Sequence, residues 1–514
     1  MFADTPEHKD RIFLILIGAW LFTALFLFTN PVILDYLHPP KNIGLPTESL
    51  GIKSGDYSNA KPYIGILSVL GLACLLGISR LKNPKFQLPI HCPKWIVYLP
   101  LIWFLWQLIS LMQSEDHELS KVTVIHFGSC IAAYYLGIFV LARIRYAKLA
   151  LWGASLGLII NLIDASQEHF GGLEQTRNNI ISQIESGELD PSKIAPHLQE
   201  QGKILPVEIK KLIDQLPSDT ASKLKKFPVE ILKRWYSPRV YGHMFYPNAL
   251  AGIILLLLPV TLALLFEKGH WLIARLILAF LLTVMGLACL YWSGSKGGWL
   301  ISLVLLVIWL LHFPISKKLK ISFASAAMLI GLIGFSIKYA DYFDKGATSV
   351  GARLGYWNAA IKTAIKEPFL GTGPGTFRIA YQRHRPPKAE PTRLTHNDYL
   401  QQASDSGWPG FAFYGLFLGS SIWTLSRRQF SEPVFIAMRL GLLAWALQGA
   451  IEFGLYIPAL AWPAWFMLGW LLAVPINQFD KSLKNNNNVS SYEDTISQRP
   501  KLKPIRPARA RDLW

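Results

Sequence analysis

The sequence predicts an all-α polytopic membrane protein of about twelve transmembrane helices, with a helical insert and a large polar loop on the non-cytoplasmic side. Three observations carry that expectation. The 514-residue chain is 52% hydrophobic and only 16% charged, too apolar for an ordinary soluble enzyme. Apolar runs of about 17 to 24 residues, the length a bilayer core requires, recur along it. Basic residues fall in short stretches between those runs, where cytoplasmic loops concentrate them.

The runs lie near residues 12–34, 63–79, 95–112, 122–142, 149–164, 244–266, 271–293, 297–315, 319–340, 408–426, 434–457 and 459–476. The first follows a charged start, Lys9-Asp10-Arg11, but it is long and has no A-x-A cleavage pattern, so it reads as a retained span. Arg80, Lys82, Lys85 and Lys94 follow the second run, Arg143, Arg145 and Lys148 the fourth, Lys317, Lys318 and Lys320 the eighth, and Arg427 and Arg428 the tenth. The loop between the third and fourth is acidic, Ser114-Glu115-Asp116-His117-Glu118. This alternation puts both termini in the cytoplasm and two long polar stretches outside.

The expected organisation is then spans one to five over 1–164, an outer helical insert at 165–240, spans six to nine over 241–340, an outer loop at 341–407, spans ten to twelve over 408–476, and a disordered basic tail at 477–514. Within the insert, Val207-Glu208-Ile209-Lys210-Lys211-Leu212-Ile213 has helical spacing. The tail carries Asn485 to Asn488 and then basic, Pro-containing sequence.

A net charge of +18 would suit nucleic acid, but its placement in short loops is explained by topology, so no nucleic-acid partner is expected. Eighteen Trp and nineteen Tyr suit two interfacial belts, although core packing accounts for many of them as well. Cys74, Cys92, Cys130 and Cys289 show no CxxC or Cys/His spacing and read as buried thiols, with no metal or cofactor implied.

The candidate chemistry lies in the second outer loop and its surroundings. Arg353, Arg378, Arg383, Arg385 and Arg393, with several lysines, make the 341–407 stretch basic on the side where topology does not ask for it, which suits an anionic partner. Long loops translocate regardless of charge, so each cation taken singly reads equally as solvated surface. Trp292-Ser293-Gly294-Ser295-Lys296-Gly297-Gly298 puts an ammonium in a Gly/Ser turn, suited to hold a phosphate and equally to snorkel at the interface. Gly371-Thr372-Gly373-Pro374-Gly375 lacks the Gly-Lys-Ser/Thr of a phosphate loop and reads as a rigid turn with backbone N–H groups available to an anion. His396 precedes a helix that Asn397 or Asp398 can cap, a position from which an imidazole can act as a general base.

At these residues the chain resembles the O-antigen ligase and polymerase family of bacterial membrane glycosyltransferases. His396-Asn397-Asp398-Tyr399-Leu400-Gln401, then Asp405-Ser406-Gly407-Trp408-Pro409-Gly410, is similar to the family's H-N-x-x-L-Q…E-x-G-x-x-G signature. Arg353 with Trp357 and Pro368 to Phe377 resembles its R-x-x-x-W…P-x-x-G-x-G-x-x-x-F block, Ser295-Lys296-Gly297 its S-R-G element, and Asn248 with the following alanines its N-x-x-A-rich span. Lys296 stands where the family has Arg, and Asp405 where it has Glu. The resemblance implies a GT-C-like, metal-independent, inverting enzyme of the bacterial inner membrane, with the insert and loop in the periplasm.

The donor it implies is a polyprenyl-diphosphate-linked glycan, and the acceptor a hydroxyl on lipid, such as lipopolysaccharide core, on glycan or on protein. Lys296 and Arg353 would bind the donor diphosphate, His396 would activate the acceptor, and Asn397, Asp405 and Asn248 would support them. Ligase, polymerase and protein oligosaccharyltransferase share that donor chemistry. A lipid-linked sugar transporter or flippase is the alternative from another class.

Overall fold

The computed structural model describes residues 7–33, 60–80, 92–144, 146–188, 207–225, 232, 234–267, 271–312, 315–344, 348–386, 389 and 392–474. Lys82, Lys85, Arg145, Lys345, Lys388 and the 477–514 tail lie outside them. Every regular element among the described residues is helical.

The first half of the chain contributes α1 (Glu7–Leu27), α2 (Ala60–Arg80), α3 (Lys94–Leu111), α4 (His117–Phe139) and α5 (Leu149–Gln167), followed by the short insert helices α6 (Leu173–Glu185), α7 (Val207–Ile213) and α8 (Ser218–Leu224). The second half contributes α9 (Pro247–Leu265), α10 (Leu272–Trp292), α11 (Lys296–His312), α12 (Lys317–Asp344), α13 (Thr348–Lys366), α14 (Phe377–His384), α15 (Asp398–Arg427), α16 (Pro433–Gln448) and α17 (Pro458–Ala473). Among the described residues seven helices are long and apolar enough to cross a bilayer, and α2, α11, α16 and α17 contain shorter apolar stretches. The chain is a polytopic membrane protein.

The starts of these helices follow local chemistry. Asp116 caps α4 by accepting the Leu119 N–H at 3.1 Å. Pro247, Pro433 and Pro458 open α9, α16 and α17, where a missing N–H costs nothing. α17 is buried along its whole length and packs against α4, α1, α16 and α9. It approaches α4 through Gly137 and Gly469, and α1 approaches α5 through Gly18 and Gly153; at three of these four glycines a Cβ would strike backbone of the facing helix, and at Gly18 it would just touch it. At the periphery, α10 exposes Leu276, Phe280 and Leu287 and α12 exposes Ile330, Ile333 and Ile337, faces that suit lipid and not water.

The insert has its own small core of Ile180, Ile184, Ile209, Ile213, Leu224 and Trp235. It leaves α5 through a π-helical turn, Glu168–Gly172, in which Gly171 takes φ +103°. Several predicted boundaries moved, among them those of α1, α4, α15 and α16. The fourth run starts five residues early because Asp116 caps it, and the run at 434–457 stops being helix at Gln448. There the chain turns, and the Gly449 carbonyl accepts the backbone N–H of Asp398 at 2.6 Å.

Candidate active site

The polar centre of the molecule is built where α9, α10, α11, α15, α16 and α17 meet at one end of the bundle. Asn397 caps α15, its side chain accepting the Leu400 N–H at 3.0 Å, so Asn397 rather than Asp398 is the cap. Asp398 instead accepts the Leu455 N–H at 3.0 Å, which fastens the α16–α17 connection against the start of α15. The residue before the cap, His396, takes φ +52°, a left-handed conformation unusual for a residue with a side chain. Its ring is held between Tyr356, 5.9 Å away and stacked, and Phe453, 4.7 Å away and edge-on.

That connection delivers Glu452 to the histidine. Glu452 Oε2 lies 3.0 Å from His396 Nδ1, while Oε1 accepts from Arg353 Nη2 of α13 and from Asn248 Nδ2 at the start of α9. Asn248 Oδ1 in turn accepts from Arg239 Nη2 at 2.9 Å, and Arg239 Nε donates to the Ser293 carbonyl at 2.6 Å. Gly294 has φ +62°, and a Cβ there would come within 3.1 Å of Arg239 Nε, so the glycine makes room for a guanidinium. Two residues on, Lys296 opens α11 with its ammonium 4.9 Å over the Tyr339 ring. A small cavity lined by Asn248, Gln448, Glu452 and Phe453 opens beside this cluster.

The charges explain one another. Burial pushes the Glu452 carboxyl up, but His396, Arg353 and Arg239 outweigh it and hold the carboxyl below its usual range, so it is ionised. An ionised carboxylate only accepts hydrogen bonds, so His396 Nδ1 carries the proton in this contact and Nε2 is the ring nitrogen that Glu452 does not engage. The His396 side chain is 25% exposed and that of Glu452 9%, so the imidazole is the more accessible of the two. Burial lowers the Arg239 pKa, yet a guanidinium stays charged at any physiological pH. Lys296 feels the charges of both Arg239 and Arg353, so three cations share one electrostatic neighbourhood.

Asp405 sits in a neighbouring cluster. It is fully buried, and its Oδ2 accepts from the Gly375 N–H at 2.8 Å, Gln401 Nε2 at 3.0 Å and the Tyr456 hydroxyl at 3.1 Å. Burial pushes its carboxyl up to about 7 against these hydrogen bonds. The backbone N–H that the Gly371–Gly375 turn offers is taken by the Asp405 carboxyl. Gln402 extends the network, accepting from Trp103 Nε1 at 3.0 Å and Gln107 Nε2 at 3.1 Å, so α3 is tied to the first turns of α15.

Of the residues singled out from sequence, His396, Arg353 and Asn248 meet directly at Glu452, Lys296 stands within their field, and Asn397 fixes the backbone beneath His396. Asp405 makes its contacts with the glycine turn, Gln401 and Tyr456 instead. Sequence reasoning missed Glu452 and Arg239. Glu452 was absorbed into the apolar run at 434–457, although a lone carboxylate in Gln448-Gly449-Ala450-Ile451-Glu452-Phe453-Gly454 was a signal. Arg239 stood at the edge of the insert and was counted with it.

No curated protein sequence matches the chain. Residues 278–415 match the family model described as O-antigen ligase, a stretch that holds Lys296, Arg353, His396, Asn397 and Asp405.

Proposed function

We propose that this protein transfers a glycan from a polyprenyl-diphosphate carrier to an acceptor hydroxyl, on the periplasmic face of the bacterial inner membrane and with both termini cytoplasmic. The observation that carries the reading is Glu452, which holds His396 by Nδ1 and Arg353 by its guanidinium within the field of Arg239 and Lys296. A base oriented by a carboxylate beside several fixed cations is what displacement of a diphosphate requires. The similarity of residues 278–415 to the O-antigen ligase family model supports the same donor chemistry.

In this reading Arg353, Lys296 and Arg239 bind the diphosphate. Arg353 and Arg239 offer planar forks, and Lys296 a point charge. The acceptor oxygen attacks the anomeric carbon as its proton passes to His396 Nε2. The bond from that carbon to the phosphate oxygen breaks, and its electron pair leaves on the diphosphate, whose growing negative charge the three cations neutralise. Glu452 keeps the imidazole in the accepting tautomer and stabilises the imidazolium that forms, the part a carboxylate plays beside a catalytic histidine elsewhere. One displacement gives one inversion.

The test is the purified protein in lipid nanodiscs with a polyprenyl-diphosphate glycan of known anomeric configuration and a hydroxyl acceptor. Release of polyprenyl diphosphate together with a product of inverted configuration is expected. A product of retained configuration, or no release with any acceptor class, would contradict the reading.

A further inference from the structure

A second lysine is held beside the site by a device the proposed mechanism does not use. Lys338 lies on α12, near the end that packs against the start of α11. An interfacial lysine normally extends its stem toward water. Lys338 folds back instead, so that its ammonium donates to the Tyr291 carbonyl and lies 2.9 Å from the centroid of the Tyr291 ring. The Trp299 and Tyr339 rings stand 5.9 Å and 5.6 Å away.

Three aromatic residues from three helices thus surround Lys338, and one of them, Tyr339, also carries Lys296 on its ring at 4.9 Å. Lys338 lies close enough to Lys296 to feel its charge. Ring faces attract cations and can hold two of them near each other, but they do not remove the mutual repulsion. An anion between them would, which makes the pair a seat for negative charge.

The surroundings say where that anion comes from. Ile333 and Ile337 next to Lys338 on α12 are 51% and 74% exposed, and Tyr291 is 49% exposed, so the seat opens on the molecule's apolar flank. On its inner side it continues through Lys296 to Arg239 and Arg353. An anion arriving along the apolar flank is a phosphate carried on a lipid.

We infer that Lys338 and Lys296, framed by Tyr291, Trp299 and Tyr339, form a lipid-phosphate seat on the flank of the α11–α12 hairpin, the point at which a membrane lipid's phosphate first meets the cation cluster. This rests on the proposed donor chemistry, which makes a polyprenyl diphosphate the natural occupant. The headgroup of an anionic phospholipid shares its chemistry and is the other source.

The full chain in nanodiscs tests it, with Lys338→Ala and Lys338→Arg compared in phosphatidylcholine and in phosphatidylglycerol bilayers. If the occupant is the donor, Lys338→Ala raises the donor KM about tenfold in phosphatidylcholine with kcat retained, a charge-assisted contact being worth about 1.5 kcal/mol, and Lys338→Arg restores it. If the occupant is a phospholipid, the donor KM is unchanged in phosphatidylcholine, and native mass spectrometry shows phosphatidylglycerol retained by wild type and lost by Lys338→Ala. An unchanged KM together with unchanged lipid retention would overturn the seat. The same spectra with glycan-free polyprenyl diphosphate give a binding readout that does not need turnover, so a failed seat and a failed transferase reading give different results.

Discussion

Glu452 is the residue on which the site turns, because its two oxygens face two different partners. Oε2 holds His396 Nδ1 and Oε1 holds Arg353, so removing its charge would disturb both the proposed base and a proposed donor contact. Replacing it by Gln keeps the volume and one acceptor oxygen but removes the charge that stabilises imidazolium. Glu452→Gln is therefore expected to lower kcat by at least about 100-fold and up to about 10⁴-fold, the loss seen when a carboxylate that orients a catalytic histidine becomes an amide, with the protein still folded. Steady-state transfer rates beside a thermal unfolding curve check it. Full kcat in a folded Glu452→Gln protein would show that the carboxylate does not orient the base. Lys296, Arg353 and His396 could be singled out in the sequence because each falls in a motif that resembles one of the family's. Glu452 was not, because one carboxylate among apolar residues reads as the tail of a span until the Asp398–Gly449 hydrogen bond shows the helix ending before it.

At the scale of elements, the break inside α15 decides where the site's first turns sit. Ser406 and Gly407 leave helical geometry, with Gly407 at φ +70° and ψ −176°, a region that essentially only glycine occupies. The break lets Trp408 N–H donate to the Pro368 carbonyl at 2.9 Å and lets Ser406 Oγ donate to Gln107 Oε1 at 2.6 Å, so the residues from Asn397 to Asp405 form a separate short helix tied to α3 and to the glycine turn. A Cβ at position 407 would also strike the Phe369 carbonyl. Gly407→Ala is expected to destabilise the protein by about 1–3 kcal/mol and to lower activity through misplaced His396, read as reduced yield of folded protein and a reduced transfer rate per folded molecule. Wild-type behaviour on both counts would mean that the break is not needed. Hydropathy located the long apolar helices, seven of which among the described residues could cross a bilayer, but not α13 and α14 within the 341–407 stretch. It could not locate the ends of α4 and α16 or the break in α15, which depend on caps and on hydrogen bonds to residues distant in sequence.

The whole molecule is an apolar bundle with its polar chemistry at one end. α17, buried throughout, forms its axis, and the connections before α9, α11, α15 and α17 converge beside it, so residues as far apart as Arg239 and Glu452 come under one electrostatic influence. The insert, to which the sequence assigned no role, pins the segment that bears Arg239: Glu168 Oε2 accepts the Tyr241 and Gly242 N–H groups at 2.6 and 2.8 Å, and Arg234 binds both Glu168 and the Gly242 carbonyl. Charge distribution in the short loops gave an orientation for the bundle, but the convergence of the site could not be read from it, because it depends on which helices are neighbours. If this convergence makes His396 a base for glycosyl transfer and not a structural residue, its loss costs rate and not donor binding. The most direct measurement is transfer rate and donor binding for His396→Ala and wild type in the same nanodisc preparation. Positioned proton transfer is worth about 10² to 10⁴ in rate, so transfer should fall by at least about 100-fold while donor binding is retained by Arg353, Lys296 and Arg239. Transfer at a near wild-type rate by folded His396→Ala protein would contradict the account.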